Sequence, residues 1–373
     1  MNPDSQGRRL FCSRPFTYLE VATQPQRGAA FMCCPSWLPK SIGNLPESSI
    51  EEVWNGEAAK SIRRSILDGS FRHCKAWCPF LQTRSGFVQY ADEVVDEDMK
   101  RVLREGPEVL SNGPRVVGAA FDSSCNLSCP TCRTHRLIES EAEDDILALQ
   151  EQLTDQAFKD LRMLYITGSG DAFGSPYFLS WLRRMRLAEF AHLRIHLHTN
   201  AQLWTPRIWP KIPADVRERI ASAEISIDAA SEQTYARNRR GGDWNRLLEN
   251  LAFISTLRSA GPLTMVKIHM VVQENNFLEM PAFVELGKRF GFDAVYFSRL
   301  LDWGVLSPEE IVARCVHRTG HPRHAEFLRI LEDPRLRDPI VQLGNLSEFV
   351  RGQEGAPGAR RIPHNPYSYT TLW

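Results

Sequence analysis

The chain lacks any excess of charge. Lys and Arg number 45 and Asp and Glu number 45 in 373 residues, so no net field draws it to nucleic acid or to an anionic membrane. Apolar runs of the length that crosses a bilayer are missing. The opening residues, Met1 to Arg9, lack the apolar stretch of a signal peptide. The expectation is a cytoplasmic protein without nucleic-acid or membrane partners. Repeats are missing too: Leu343-Gly-Asn-Leu346 echoes Ile42-Gly-Asn-Leu45, which is most simply two similar turns. A disulfide framework is also excluded, because the nine cysteines are an odd number and a reducing compartment keeps thiols free. What is present is 43% hydrophobic residues, enough for a real core, in a length that suits two domains or one with an appendage. Eight of the nine cysteines fall in two groups, and only Cys315 stands apart.

The second group is the denser. Cys125, Cys129 and Cys132 follow a β-rich run from Arg115 to Phe121 at the spacing C-x3-C-x2-C. Thiolates this close on one loop can point at one soft metal centre. A closed structural zinc site takes four ligands, as does an ordinary cubane cluster. Three cysteines therefore imply a metal with one position open to something other than protein. The plainer readings are a zinc knuckle that borrows a distant fourth ligand, or three buried thiols. The spacing, at the end of a first strand, resembles that of the radical S-adenosylmethionine (SAM) enzymes. The resemblance implies a 4Fe–4S cluster on the three cysteines, with SAM chelating the remaining iron.

The first group comprises Cys12, the pair Cys33 and Cys34, and Cys74 and Cys78 in the run CKAWC. Four cysteines on separated short elements read as a complete ligand set: Cys12, one of Cys33 or Cys34, Cys74 and Cys78. An all-sulfur site admits zinc or an iron–sulfur cluster, and spacing does not separate them. Between them, Glu47-Ser-Ser-Ile-Glu51 predicts a serine-capped helix start, and Ile62, Ile66 and Leu67 share one face of an amphipathic stretch. The segments IGNLPESSIEEVWN, SIRRSILDG and CKAWCP are similar to the SPASM domain, which implies a second, auxiliary 4Fe–4S cluster. In the well-known members that domain follows the core, whereas here it precedes it, with ligands for one cluster only.

Residues 89–106 are charged and helical in pattern, with Val94, Val95, Met99, Val102 and Leu103 on one face and Pro107 as the stop. Beyond residue 115, strand-like segments at 116–121, 164–167, 193–197, 223–227, 265–272 and 294–297 alternate with helix-like ones at 138–159, 177–187, 207–219, 244–258 and 277–290. That alternation predicts a parallel sheet with right-handed crossovers. The expected fold class is α/β: a partial (β/α)6 radical SAM barrel with a small cysteine-rich SPASM-like domain at its N-terminal side. The expected divisions are 1–88 for the auxiliary cluster domain, 89–114 for a helical linker, 115–302 for the core, and 303–373 for a helical extension and tail.

In parallel barrels the chemistry gathers at the C-terminal ends of strands. There the chain places Gly168, Ser169, Gly170 and Asp171 after the second strand and Asn200 after the third. Ser226 ends the fourth strand, Arg239 lies beyond it, and Val271 is on the fifth. The resemblance assigns these to SAM. The glycine-rich turn with Asp171 would hold its amino group, and Asn200 its ribose or the substrate. Ser226 and Arg239 would bind its carboxylate, a guanidinium fork matching a carboxylate, and Val271 its adenine. Ala201 stands where relatives have glycine. His196 and His198 share a strand face and read as structural, with no carboxylate partner in view. Cys315, in a helical stretch, reads as a small buried hydrophobe; the sharper alternative is a hydrogen-atom donor to a substrate radical. The tail from Gly352 reads as loosely ordered, with aromatics able to fold across the barrel mouth.

The resemblance as a whole implies reductive cleavage of SAM to a 5′-deoxyadenosyl radical and hydrogen abstraction from a substrate C–H. The substrate would be a peptide or a small molecule, oxidised or cross-linked as a natural-product precursor. Its alternative is a dehydrogenase or epimerase of a sugar or aminocyclitol. A reductase such as flavodoxin or ferredoxin would supply electrons. From a different class, the chain could be a non-catalytic zinc or iron–sulfur binding module.

Overall fold

The strands in chain order are β1 (Leu10–Cys12), β2 (Tyr18–Ala22), β3 (Ala29–Phe31), β4 (Gly43–Asn44), β5 (Val88–Tyr90), β6 (Val116–Ala120), β7 (Met163–Ile166), β8 (Arg194–Thr199), β9 (Ile220–Ser226), β10 (Met265–Val272), β11 (Ala294–Arg299) and β12 (Val341–Gln342). They come from a computed structural model that describes residues 8–84, 86–166, 169–261 and 263–350, without the side chains of Pro79 and Thr83. The tail from Gly352 lies outside the described residues.

All six expected core strands form. β6 to β11 lie side by side in chain order and pair in parallel. The helices Glu143–Ala157, Pro176–Arg184, Trp244–Ala260 and Met280–Arg289 contribute to one apolar core with Leu164, Ile195, Ile225 and Ile268, each fully buried. Burying one such side chain contributes about 1.5–3 kcal/mol. Sequential parallel strands whose right-handed crossovers share one face make a singly wound, barrel-type α/β sheet, as the alternation predicts. Serine and aspartate caps set the helix starts: Ser175 Oγ accepts from the amides of Tyr177 and Phe178 (3.1 and 3.0 Å), and Asp243 Oδ1 from that of Arg246 (2.8 Å).

Pairing register puts the opposite residues of these strands on the other face. Tyr165 faces His196, His196 faces Ser222, His198 faces Glu224, Glu224 faces Lys267, and His269 faces Tyr296. One face of the sheet is thus apolar under helices and the other carries a polar row.

The sheet is longer than the sequence pattern indicates. β2 pairs in parallel with β6, Tyr18 opposite Val116, β3 and β4 continue antiparallel beyond it, and β12 pairs in parallel with β11 at the other edge, giving ten strands among the described residues. The sheet therefore runs across the expected division at residue 88. The run Tyr-Leu-Glu-Val-Ala is buried at every position, so it has no alternation to mark it as a strand. β1 and β5 form a separate antiparallel pair beside a small core with Phe11, Phe16, Ile66, Phe80 and Phe87.

Three helix expectations shorten. Residues 89–106 become the end of β5, a 3-10 turn and the helix Glu97–Glu105, because Asp96 accepts from the amides of Asp98 and Met99 (2.9 and 3.0 Å) and starts it there. Val95 is consequently 82% exposed. Residues 207–219 hold only two short turns, Trp209–Lys211 and Ala214–Arg217, interrupted by Pro210 and Pro213. The stretch from 138 enters through a 3-10 turn at Ser140–Ala142 and becomes α-helical only at Glu143. The serine-capped helix does form: Ser49 and Glu52 make a reciprocal capping box at Ile50–Asn55. Among the described residues no helix is long and apolar enough to cross a membrane.

Candidate metal and cofactor centres

β6 delivers the three-cysteine loop at its C-terminal end, and two glycines hold the loop there. A Cβ on Gly170 would lie 2.5 Å from Asp122 O and 2.8 Å from Ser124 O; one on Gly174 would lie 2.2 Å from Asn126 Oδ1. The turn after β7 is therefore glycine-rich because another backbone passes against it. Asp122 closes its own turn by accepting from Ser124 N at 2.8 Å. Arg133 straps the loop from below, donating to Ser123 O (2.6 Å) and to Ser169 O. Arg240 does so from the side, donating to Ser128 O (3.0 Å) and Thr134 O (3.0 Å). Neither arginine is marked by the sequence pattern.

Cys125 and Cys129 are buried and Cys132 is exposed. Burial, helped by the Asp171 charge, pushes the Cys125 thiol up to about 12, and burial also raises Cys129. Such thiols ionise only against a cation or a metal, and an N–H donor faces each of the three sulfurs. Asn200 Nδ2 lies 3.7 Å from Cys125 Sγ, Arg239 Nη1 lies 3.8 Å from Cys129 Sγ, and Arg133 Nη2 lies 3.5 Å from Cys132 Sγ. The donor set of three soft sulfurs with N–H groups turned towards each of them fits an iron–sulfur cluster. Among the described residues no three His, Cys, Asp or Glu side chains converge as on a single ion. A cluster spreads its ligands over several irons and does not require that.

Several residues expected to face SAM have other partners. Asp171 is 2% exposed. Its Oδ1 accepts from the amides of Phe173 (3.0 Å) and Gly174 (2.7 Å) and from Thr199 Oγ1 (3.2 Å), and its Oδ2 accepts from Asn200 N (2.6 Å). It is a clamp between the turn after β7 and the end of β8, not an open acceptor. Asn200 binds Asn126 Oδ1 (3.0 Å) as well as Cys125. Ala201 keeps the left-handed backbone of the glycine it replaces, at φ +59°. Arg239 forms a buried ion pair with Asp228 (2.8 Å) beside Cys129, and Asp228 itself has φ +60°. Val271 donates its amide to Asp228 Oδ1 (2.7 Å) and is half-buried at the end of β10. Ser169 Oγ accepts from Ser123 Oγ–H (2.9 Å), and Gly168 lies outside the described residues. Cys315 caps the helix Pro308–Arg314 instead of lying within it. It packs with Leu300 and Ile311 as a small hydrophobe.

Next to this loop the polar sheet face carries a group that the sequence left as unconnected histidines. Glu224 lies 2.6 Å from Lys267 Nζ and 2.8 Å from His269 Nδ1, with His198 Nε2 at 4.0 Å. Ser226 pairs with His198 (2.8 Å) and Ser298 with His269 (2.7 Å). Burial opposes ionisation of Glu224, but Lys267 and the histidines outweigh it and hold the carboxyl well below its usual range. Burial lowers both His196, to about 3, and His198. The missing signal was register: Glu224 and Lys267 are adjacent only once β9 and β10 are paired.

The other cysteine group surrounds a cavity of its own. Cys12, Cys33, Cys74 and Cys78 line it together with Arg14, Trp37 and Phe87. Cys34 turns away towards Ser36 and Glu20. Burial raises all four lining thiols, Cys74 to about 12. The Arg14 guanidinium is buried among them, over the rings of Tyr18 (3.7 Å) and Phe87 (4.4 Å). Four sulfurs around one cavity fit a closed tetrathiolate centre. β2 runs parallel to β6. Cys12 precedes β2 and Cys33 follows the antiparallel β3, whereas Cys125 follows β6. The two cysteine sets therefore flank opposite ends of the same pair of strands.

Comparison with known proteins bears on the N-terminal cysteine group. Residues 12–79 match the SPASM family model, an iron–sulfur cluster-binding domain. The AdoMet-dependent heme synthase of Methanosarcina barkeri is 28% identical over 197 residues, 52% of this chain and 53% of that protein. The tungsten-containing aldehyde ferredoxin oxidoreductase cofactor-modifying protein of Pyrococcus furiosus is 23% identical over 192 residues, 51% of each chain. The chain thus spans about half the length of the curated relatives it matches. Among solved structures, Streptococcus suis SuiB bound to S-adenosylmethionine aligns with 68% of this chain and 54% of its own, at 14% identity and a TM-score of 0.37.

Proposed function

We infer the activity of this chain from its kinship as a radical SAM protein that carries a SPASM iron–sulfur domain ahead of its core. It uses S-adenosylmethionine and iron–sulfur clusters. A 4Fe–4S cluster held by Cys125, Cys129 and Cys132 supplies, when bound, the electron that cleaves SAM to a 5′-deoxyadenosyl radical. The reaction then takes a hydrogen atom from a substrate C–H and oxidises or cross-links a peptide or natural-product precursor in the cytoplasm. A reductase such as flavodoxin or ferredoxin provides the electrons. The observation that supports this most directly is the pairing of one three-cysteine loop with a separate four-cysteine cavity at the other end of β2 and β6.

The chain's own residues bind and orient. Arg239, fixed by Asp228, presents its fork beside Cys129 to the SAM carboxylate, with Ser226 next to it. The turn at Ser169 and Gly170 approaches its amino group, and Val271 its adenine. Asp171 and Asn200 act through the loop they hold. The polar face of His198, Glu224, Lys267 and His269 receives the substrate and excludes bulk water. That face of carboxylate, ammonium, imidazole and hydroxyl also suits a hydroxyl-rich substrate, so dehydrogenation or epimerisation of a sugar or aminocyclitol is the second reading.

Anaerobically purified protein should hold about eight irons per chain, and the Cys125/Cys129/Cys132→Ala variant about four fewer. Reduced wild-type protein should cleave SAM, and deuterium from a labelled substrate should enter 5′-deoxyadenosine. Iron-loaded, reduced protein that neither binds nor cleaves SAM would leave only a non-catalytic metal-binding module.

A further inference from the structure

Basic residues near the four lining cysteines in sequence include Arg8, Arg14, Arg27, Lys40, Arg72 and Lys75. Arg14 is buried, while Arg8, Arg27 and Arg72 pair with carboxylates. Lys40 and Lys75 have no ion pair among the described residues. Both lie near the turn Cys74-Lys75-Ala76-Trp77-Cys78. Lys75 donates its amide to Trp37 O (2.8 Å), tying the turn to the Lys40 segment.

This turn is also one wall of the cavity. Cys74 and Cys78 line the cavity from inside, while Lys75, Ala76 and Trp77 are exposed outside. Trp77 is 59% exposed, with the Lys75 ammonium 5.5 Å from its ring centroid. An exposed tryptophan within a basic rim is the composition of a binding hot spot, and nothing in the packing of the fold requires it to be outside.

We propose that the Cys74–Cys78 turn, with Trp77 at its centre and Lys40 and Lys75 at its rim, is the docking surface for an acidic one-electron carrier protein of the flavodoxin or ferredoxin class. Electron transfer weakens steeply with distance, so a carrier must seat close to the four sulfurs, and this exposed turn carries two of them. Complementary charge speeds and orients that encounter. One electron crosses the wall: the reduced carrier is oxidised and the auxiliary centre reduced, or the reverse after turnover, and no bond forms or breaks. The proposal rests on the reading that Cys12, Cys33, Cys74 and Cys78 hold a cluster.

The test uses the full chain carrying Cys125/Cys129/Cys132→Ala, so that only the auxiliary centre reports. Flavodoxin hydroquinone and dithionite are the two reductants, and cluster absorbance is followed in stopped flow. Reduction by flavodoxin should slow as salt is raised. It should fall at least tenfold in a further Lys40→Glu/Lys75→Glu variant, and separately in Trp77→Ser, with dithionite rates and iron content unchanged. Flavodoxin rates that ignore both salt and these substitutions would overturn the docking surface, as would self-association of the chain through Trp77 in sedimentation. A parent protein without about four irons would instead overturn the cluster reading beneath it.

Discussion

At the scale of single residues, glycine and buried titratable groups carry the most testable consequences. Gly174 has Asn126 Oδ1 where its Cβ would go, at 2.2 Å, so Gly174→Ala must displace the cysteine loop that Asn126 belongs to. The expected outcome is loss of about four of eight irons with the far-ultraviolet circular dichroism retained; full iron loading would show that the loop tolerates the shift. His196 gives a pH dependence. Its imidazole, buried beside Ser222 Oγ (2.8 Å), is lowered from 6.5 to about 3, whereas the unfolded chain takes up that proton near its ordinary value. The unfolded state thus binds more protons below pH 6.5, and stability falls with falling pH by up to about 1.4 kcal/mol per unit until about pH 3. Urea titrations of wild type and His196→Gln across this window should show the slope reduced in the variant, and equal slopes would remove His196 from the balance.

At the scale of elements, the end of β3 decides between two adjacent thiols. Successive residues leaving a strand point to opposite sides, so Cys33 reaches the four-sulfur cavity while Cys34 goes to Ser36 and Glu20. Cys33→Ser should cost about four irons and the auxiliary signal in electron paramagnetic resonance, and Cys34→Ser should cost neither. A loss in Cys34→Ser alone would reverse the assignment. The segment after Cys12 is held by Arg63, a buried guanidinium that donates to Pro15 O (3.1 Å), Asn55 Oδ1 (3.1 Å) and Glu108 O (2.8 Å). One side chain thereby ties the segment next to Cys12 to a helix and to the stretch before β6.

At the scale of the whole molecule, the two cysteine regions adjoin one sheet. β2 covers the edge of β6 with five parallel residue pairs, and Leu19 and Val21 belong to the main apolar core. Removing residues 1–88 would therefore bare both a strand edge and part of that core. The expected result is an aggregating or unfolded remainder, and wild-type apoprotein should melt in one transition. A soluble, monomeric 89–373 fragment that still loads about four irons would show that the core is independent.

The sequence by itself determined the strand–helix alternation, the two cysteine groups and the parallel order of β6 to β11, because each is written in local period or spacing. It also marked the strand that ends at Ser226. Tertiary structure alone decided that Cys33 and not Cys34 meets the cavity, that Asp171 is spent on backbone amides, and that Glu224, Lys267 and His269 form one group. It alone joined β2 to β6. These facts depend on which strands become neighbours and in which register, and hydrogen bonding across a sheet leaves no trace in the order of residues along either strand.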